Sequence, residues 1–381
     1  MICIRCGNDS KYRDRTGGVC PSCRGRFAFE PKTGSPITDV GFKNAIEAVS
    51  ANGKVRWGVE HLYYEVCRRV ARSRLRLAAI SRVILVAPVF FAVAGMSYDN
   101  FGAVGFVYGA AAGAAVGLAH WFFTRSGPRS MTAALDLYRF NTLWRSWLDA
   151  HGKPEGVITR KEKPTPKRAS EPDVADYSFD RVVICDRART VDLLLANNFH
   201  FENNCAVLTA TGYPPGPFDT VRRMLRRNPR LQVFVLHDAT FTGCGLAHRL
   251  ANDPEWFAGL ARVTDVGMRP VHAAIFPGLW IAPTDVVSGT PGISAAEQEW
   301  LSKHAFELAA IRPEQVIKRL FRAMSASPDG GDSGSGSDGG GGDGGSGASS
   351  GERDGGAEVV HDTDSFSNSA SDSDGGGDSF G

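Results

Sequence analysis

Cysteine is scarce in this sequence, with eight residues among 381, and four of the eight fall within the first 23 positions. So low a density excludes a small scaffold held together by disulfides. Neither a Gly-X-Y period nor a sustained heptad repeat occurs, which excludes collagen-like and coiled-coil chains. An overall excess of one charge is also missing, since 43 basic residues accompany 41 acidic ones. The chain is instead divided into segments of very different composition.

The C-terminal segment, residues 325–381, is acidic and poor in apolar side chains. It holds twelve acids and a single base, Arg353, among many glycines and serines. Such a segment cannot bury enough apolar surface to offset the entropy of ordering. The sequence therefore predicts a disordered acidic tail, which either keeps the protein soluble or competes electrostatically for basic surfaces.

Four cysteines form two close pairs at the start of the chain, Cys3 with Cys6 and Cys20 with Cys23. Zinc is tetrahedral, and two such turns supply four thiolates at suitable separations. The pattern resembles a zinc ribbon over residues 1–30. We expect these four cysteines to bind structural zinc with no open position for catalysis; a redox dithiol pair and two disulfides are the alternatives.

Ribbons of this kind bind nucleic acid or protein, or only stabilise a small domain. The segment carries basic residues that would suit a nucleic-acid partner, although a charged run is often only a solvated surface. They are Lys11, Arg13, Arg15, Arg24 and Arg26.

Residues 38–76 follow the order helix, short strand, helix. Apolar side chains recur at helical spacing before Gly53, and 55–57 is a candidate strand. The order predicts a helical, winged-helix-like module.

Two long apolar stretches follow, at 77–96 and 102–123. The second has no charged residue, and each is long enough to cross the roughly 30 Å hydrocarbon core of a bilayer. The link between them lacks Lys and Arg, whereas arginines flank the pair on both sides. By the positive-inside rule, the sequence predicts a two-helix transmembrane hairpin in the cell membrane, a multi-pass arrangement with both termini in the cytoplasm.

Glycines recur at every fourth position of the second stretch. Stripes of small residues allow close packing of helices in lipid. The stripe predicts either packing within the hairpin or homo-oligomerisation, through Gly105, Gly109, Gly113 and Gly117.

Residues 151–178 are rich in lysine and proline and predict a basic linker. From 179 to 324, buried strands at 181–186, 205–210 and 231–236 alternate with helical segments. Such alternation predicts a cytoplasmic α/β domain with a parallel sheet. Ser294 with Glu297 predicts a capping box at the start of a later helix.

Acidic residues end two of these strands, Asp186 after the first and Asp238 after the third. Residues 180–252 resemble the Toprim fold of primases and topoisomerases. The resemblance implies that Asp186 and Asp238 are magnesium ligands for phosphoryl chemistry. Thr240 stands where the family has a further Asp, and Arg187 stands where it has Gly. The alternative is that the two acids cap the helices that follow them.

The acid set is incomplete, so we expect no catalysis but a membrane-anchored protein with a Toprim-like domain that binds protein or nucleic acid. The alternative is a membrane-tethered, magnesium-dependent nuclease or phosphotransferase. A second metal site is not expected from four scattered residues that match no ligand spacing: Cys205, His237, Cys244 and His248.

Overall fold

The computed structural model describes residues 1–125, 135–159, 181–215, 231–254, 262–276, 278–283, 289–326 and 359–361, with the single residues 218, 256, 285 and 287. The chain divides into two compact units. One comprises Met1–Val157 and Ala274–Ile281, and the other comprises Ile158–Ala273 and Ala282–Gly381.

The first unit begins with a cysteine-containing module of turns and isolated bridges and continues as helices. The hydroxyl of Thr38 accepts a hydrogen bond from the Gly41 N–H (3.1 Å) and starts the first helix. The helices are α1 (Asp39–Val49), α2 (Val59–Phe101), α3 (Gly105–Arg125) and α4 (Leu137–His151).

An aromatic core joins the cysteine module to α1, α2 and α4. The ring of Phe42 lies 5.1 Å from that of Phe29 and 4.9 Å from that of Trp147. Helix α4, for which the sequence analysis gave no element, supplies part of this core. The buried members are Phe29, Ile37, Phe42, Ala45, Val49, Trp57, Leu62, Val66, Cys67, Val70, Leu135, Phe140, Leu143 and Trp147.

The winged-helix prediction for residues 38–76 is not supported in its detail. The candidate strand at 55–57 is reduced to one parallel bridge between Trp57 and Val157, and the Trp57 N–H donates to the Gly156 carbonyl (3.0 Å). The described part of the module is therefore helical, and Trp57 pairs with residues just after α4, Gly156 and Val157. Residues 160–178 of the proposed linker lie outside the described part.

Helices α2 and α3 pack along each other. Gly105, Gly109 and Gly113 of α3 are buried, while Phe106 and Val107 between them are exposed. These three glycines therefore lie on a more buried side of α3 than the residues between them. One segment of the described chain, Gly105–Phe122, is long and apolar enough to cross a membrane. Most side chains of the other predicted span, 77–96, lie outside the described part, so that span stays a prediction.

The second unit contains a parallel sheet with strand order β2–β1–β3–β4–β5. The parallel α/β prediction is thus confirmed, and the three long strands coincide with the predicted apolar runs. The strands are β1 (Arg181–Cys185), β2 (Cys205–Thr209), β3 (Gln232–Leu236), β4 (Val263–Asp265) and β5 (Val359–His361).

Helices connect and cover the strands. Ser294 and Glu297 form the predicted capping box, and Pro313 opens the last helix. The helices of this unit are α5 (Ala188–Ala196), α6 (Phe199–Glu202), α7 (Phe241–Cys244), α8 (Leu246–Asn252), α9 (Pro270–Ala273), α10 (Ala295–Lys303) and α11 (Pro313–Ser325).

Part of the predicted tail departs from disorder. Val359–His361 forms β5 and pairs in parallel with β4, from Val263 opposite Val359 to Asp265 opposite His361. These residues belong to a short apolar stretch in the Gly/Ser/Asp segment, which explains why a strand arises there. Residues 327–358 and 362–381 lie outside the described part.

Candidate metal centre and strand-end site

The cysteine module is built from two similar turns, each carrying two of the four cysteines. In the first, the Gly7 N–H donates to the Cys3 carbonyl (2.9 Å); in the second, the Arg24 N–H donates to the Cys20 carbonyl (2.9 Å). Gly7 and Arg24 both adopt left-handed backbone conformations, with φ of 72° and 55°. Each turn therefore presents its two thiols on the same side.

The four sulfur atoms form a compact cluster. Cys3 Sγ lies 3.6 Å from Cys23 Sγ, and Cys6 Sγ lies 3.7 Å from Cys20 Sγ. All four atoms lie within 4.8 Å of one another. A tetrahedral ion with bonds of about 2.3 Å to sulfur requires sulfur–sulfur separations of about 3.8 Å. The cluster therefore fits a metal ion such as zinc, and none of the eight cysteines forms a disulfide.

A buried carboxylate attaches this module to the helices. Asp39, fully buried in the first turn of α1, accepts hydrogen bonds from the backbone N–H groups of Ala28 (3.0 Å) and Phe29 (2.9 Å). Its Oδ2 also lies 2.7 Å from Nε2 of His151, at the end of α4. One side chain thus holds together the cysteine module, α1 and α4.

The outer surface of the module is basic. Each of its three acids lies close to a positive group: Asp9 to the N-terminal ammonium (2.7 Å), Asp14 to Arg13 (3.7 Å) and Glu30 to Arg15 (2.7 Å). Arg15 is buried, so it belongs to the interior and not to the predicted surface. The exposed cations are Arg5, Lys11, Arg13, Arg24 and Arg26.

In the second unit, Asp186 and Asp238 lie side by side at the carboxyl ends of β1 and β3. The Asp238 N–H donates to Asp186 Oδ2 (2.8 Å). Ligands of open parallel sheets bind beyond these strand ends, where the strand order reverses. The sequence therefore placed both acids correctly at a position suited to a site.

The Asp238 carboxylate is fully engaged by the protein. Oδ2 accepts hydrogen bonds from Arg187 Nε (3.0 Å) and Arg189 Nη2 (3.3 Å), and Oδ1 accepts one from the Leu308 N–H (2.7 Å). The side chain is only 1% exposed. Sequence reasoning missed both arginines as partners, although Arg187 had been noted where the Toprim pattern has glycine.

The Asp186 carboxyl group, in contrast, is only partly hydrogen-bonded and has a raised pKa. Its Oδ1 is buried and has no hydrogen-bond partner among the described residues. Burial, and then the negative charge of Asp238, raise the pKa of Asp186 from 3.8 to about 7. The fold therefore favours the neutral carboxylic acid at this position.

Neither acid caps a helix, so the alternative explanation of their position is wrong. Helix α5 follows Arg187 without a side-chain cap. Helix α7 is capped by Thr240, whose hydroxyl accepts a hydrogen bond from the Gly243 N–H (3.0 Å). The residue that replaces the second Asp of the Toprim pattern is thus occupied in capping.

A second buried polar chain begins at His237. Its Nδ1 lies 2.8 Å from the Asp238 carbonyl oxygen, and its Nε2 lies 2.8 Å from Asp265 Oδ1. Both partners are acceptors, so both ring nitrogens carry hydrogen. Burial lowers the pKa of His237, but the charge and hydrogen bond of Asp265 outweigh it and hold the pKa well above its usual value. Asp265 in turn meets Arg269 (3.4 Å), which pairs with Glu297 (2.8 Å).

This chain is an interior ion network and not a metal site. Gly267 is required beside it, because a Cβ there would overlap the His237 ring. Among the described residues, the cysteine cluster is the single group of potential ligands close enough for a metal. Among the same residues, Cys205, Cys244 and His248 form no such group with His237.

Replacing Asp186 by asparagine is expected to stabilise the protein increasingly as pH rises. The folded-state pKa of Asp186, about 7, is above the unfolded value of 3.8. Wild type therefore loses stability between these values as a buried carboxyl must ionise, and the loss is complete above about pH 7. We expect Asp186→Asn to match wild type near pH 4 and to exceed it by about 2–4 kcal/mol at pH 8.

Urea unfolding at several pH values measures this difference. Asp149→Asn, which removes an exposed carboxylate of α4, is the control and should give a flat difference. A pH-independent difference for Asp186→Asn would show that Asp186 ionises normally in the folded protein.

No family model matches the chain, and neither a curated protein nor a solved structure matches it. The comparisons therefore lend no support to Toprim membership.

Proposed function

We propose that this chain is a membrane-anchored binding protein whose α/β domain is not catalytic. The observation that carries the proposal is the Asp238 carboxylate, which is buried and accepts hydrogen bonds from Arg187, Arg189 and the Leu308 N–H. Two guanidinium groups already supply the positive charge that a metal ion would bring.

Magnesium binding is disfavoured by the same contacts. Mg²⁺ needs hard oxygen ligands and near-octahedral geometry. Asp238 offers no free oxygen, the Thr240 hydroxyl caps α7, and Asp186 alone is left with an unused oxygen. One neutral carboxylic acid is a poor site for a divalent cation.

The anchor in this proposal is the helical hairpin formed by α2 and α3. Support comes from the length and apolar composition of Gly105–Phe122 and from exposed aliphatic and aromatic side chains along both helices. Arginines flanking the pair favour cytoplasmic termini by the positive-inside rule. Because Gly105, Gly109 and Gly113 are buried in the hairpin, homo-oligomerisation through the stripe would need them to be shared with a second chain.

The cysteine module is proposed to hold structural zinc and to present the binding surface. Its exposed cations outnumber its exposed carboxylates, although Asp14 lies 3.7 Å from Arg13, and this excess of positive charge favours an acidic partner such as nucleic acid. Val59 opens α2, and the apolar stretch of that helix begins at 77, which corresponds to about 27 Å of helix. In the proposed arrangement, this separation would keep the basic surface away from lipid headgroups and leave it open to a cytoplasmic nucleic acid or protein.

A magnesium titration tests the non-catalytic assignment. We expect the thermal stability of the full chain in detergent micelles to be insensitive to millimolar Mg²⁺ or Mn²⁺. Asp238→Asn should lower stability equally with and without metal, since it leaves two arginines short of a counter-charge. Metal-dependent stabilisation that is lost in Asp186→Ala and Asp238→Ala would contradict the proposal.

That contrary result would favour the second candidate, a membrane-tethered, magnesium-dependent nuclease or phosphotransferase. One observation supports it: the Asp186 carboxylate accepts a hydrogen bond from the Asp238 N–H at the strand ends, and Asp186 Oδ1 is buried without a partner among the described residues. Mg²⁺ would be a cofactor in that case alone.

A further inference from the structure

The ends of β1 and β3 carry a pair of arginines that the proposed function leaves without a ligand. Strand β1 lies between β2 and β3, so the strand order reverses between β1 and β3. Ligands of such sheets bind at this reversal. Arg187 and Arg189 follow β1 immediately, and they are 45% and 32% exposed although the Asp238 carboxylate beneath them is buried.

Arg187 has unused donors. Its Nε donates to Asp238, and among the described residues its two terminal amino groups make no hydrogen bond. The start of α5, a nine-residue helix whose N-cap gives no side-chain hydrogen bond, adds backbone N–H groups next to this guanidinium. Donors of both kinds suit an anion.

A carboxylate of the chain itself already lies against Arg189, one member of this pair. Residues 304–310, which we call the strap, run past the end of β3, where Phe306 and Ala239 exchange backbone hydrogen bonds of 2.8 and 3.0 Å. Glu307 Oε1 of the strap lies 2.9 Å from Arg189 Nη2. Glu307 thus occupies the place that an external anion would take.

We propose that Arg187 and Arg189 form a binding site for a phosphate group, and that Glu307 is an internal anion that the phosphate displaces. The site is distinct from a magnesium site, because its positive charge comes from the two guanidinium groups. It would take a phosphorylated small molecule or the phosphate of a polynucleotide, which share this chemistry.

The charges around Arg187 and Arg189 determine how tightly the two arginines bind phosphate. Asp238 and Glu307 together balance the two arginines in this conformation. When Glu307 moves away, one positive charge remains in excess, since Asp238 stays paired below. Asp186 adds little negative charge at pH 6.5, because its pKa is raised to about 7. Affinity should therefore be modest in wild type and limited by Glu307.

Phosphate binding to the full chain in detergent micelles tests this inference. The probe is inorganic phosphate at pH 6.5, without added divalent metal and at constant ionic strength, followed by the ³¹P line width and by thermal stability. We expect Glu307→Gln to tighten binding about tenfold and Arg187→Gln to weaken it at least tenfold, with Arg187→Lys intermediate.

Arg249→Gln is the matched control, because Arg249 is an exposed arginine on α8, and it should leave binding unchanged. Equal weakening by Arg249→Gln, or no tightening by Glu307→Gln, would overturn the site. A twelve-nucleotide single strand and a nucleoside monophosphate, tested in the same way, distinguish the two sources of phosphate. Loss of this site would leave the basic surface of the cysteine module unaffected, so the two proposals fail separately.

Discussion

Cys20→Ser is expected to weaken metal binding strongly and to unfold the cysteine module. The module contains few buried apolar side chains, so its folding depends on the ion that the four sulfurs surround. Structural zinc contributes on the order of 10–16 kcal/mol of apparent binding free energy in small modules. Removal of one thiolate leaves three ligands and an open position, which lowers both affinity and stability.

Metal analysis of the purified chain, combined with hydrogen exchange of residues 1–30, checks this expectation. Wild type should carry one zinc ion per chain, and Cys20→Ser should carry less and exchange rapidly. Cys67→Ser is the control: Cys67 is buried in the helical core and lies outside the sulfur cluster, so its replacement should keep the metal. One full equivalent of metal in Cys20→Ser, with unchanged protection, would refute the four-thiolate site.

Asp39→Ala is expected to cost about 3–5 kcal/mol in the first unit, because it removes one partner of a buried, charged network. The substitution leaves the N–H groups of Ala28 and Phe29 and the ring of His151 without their acceptor. Asp39→Asn retains one acceptor oxygen and should cost less. The loss should appear where the cysteine module meets α4.

Hydrogen exchange of peptides spanning residues 24–33 and 138–151 measures this effect. Both peptides should lose protection together in Asp39→Ala, since a single carboxylate holds them. Asp149→Asn, an exposed change on α4, serves as the control. Loss of protection confined to one peptide would show that the two segments are held independently of Asp39.

The elements that the sequence predicted well are those specified by neighbouring residues. The runs at 181–186, 205–210 and 231–236 are apolar and rich in β-branched residues, and each became a strand. Ser294 and Glu297 are three residues apart, so their capping box could be read directly. The cysteine cluster was also specified mostly by neighbouring residues. Each turn brings two cysteines together, and only the approach of the two turns to each other depends on residues distant in sequence.

Contacts between distant residues could not be predicted in the same way. Asp238 meets Arg187 and Leu308, which lie 51 and 70 positions away along the chain. The incomplete acid set led to the expectation of no catalysis. The contacts of Arg187 and Arg189 with Asp238, however, are visible only in the structure. Helix α4 carries a signal that sequence reasoning missed, since Phe140, Leu143 and Trp147 recur at helical spacing; only its partners, which lie far earlier in the chain, could not be predicted from it.

The helical core of the first unit has a consequence for the order of synthesis. Leu62 and Val66 lie in the first part of α2, before the two apolar stretches, whereas Phe140, Leu143 and Trp147 follow α3, and all five belong to one core. The ribosome must therefore synthesise α2 and α3 completely before the residues of α4 can complete this core. Until then, the apolar faces of α1 and α2 are not covered by the side chains of α4. If the two helices insert into a membrane as proposed, a defect in insertion would accordingly be seen first as misfolding of this core.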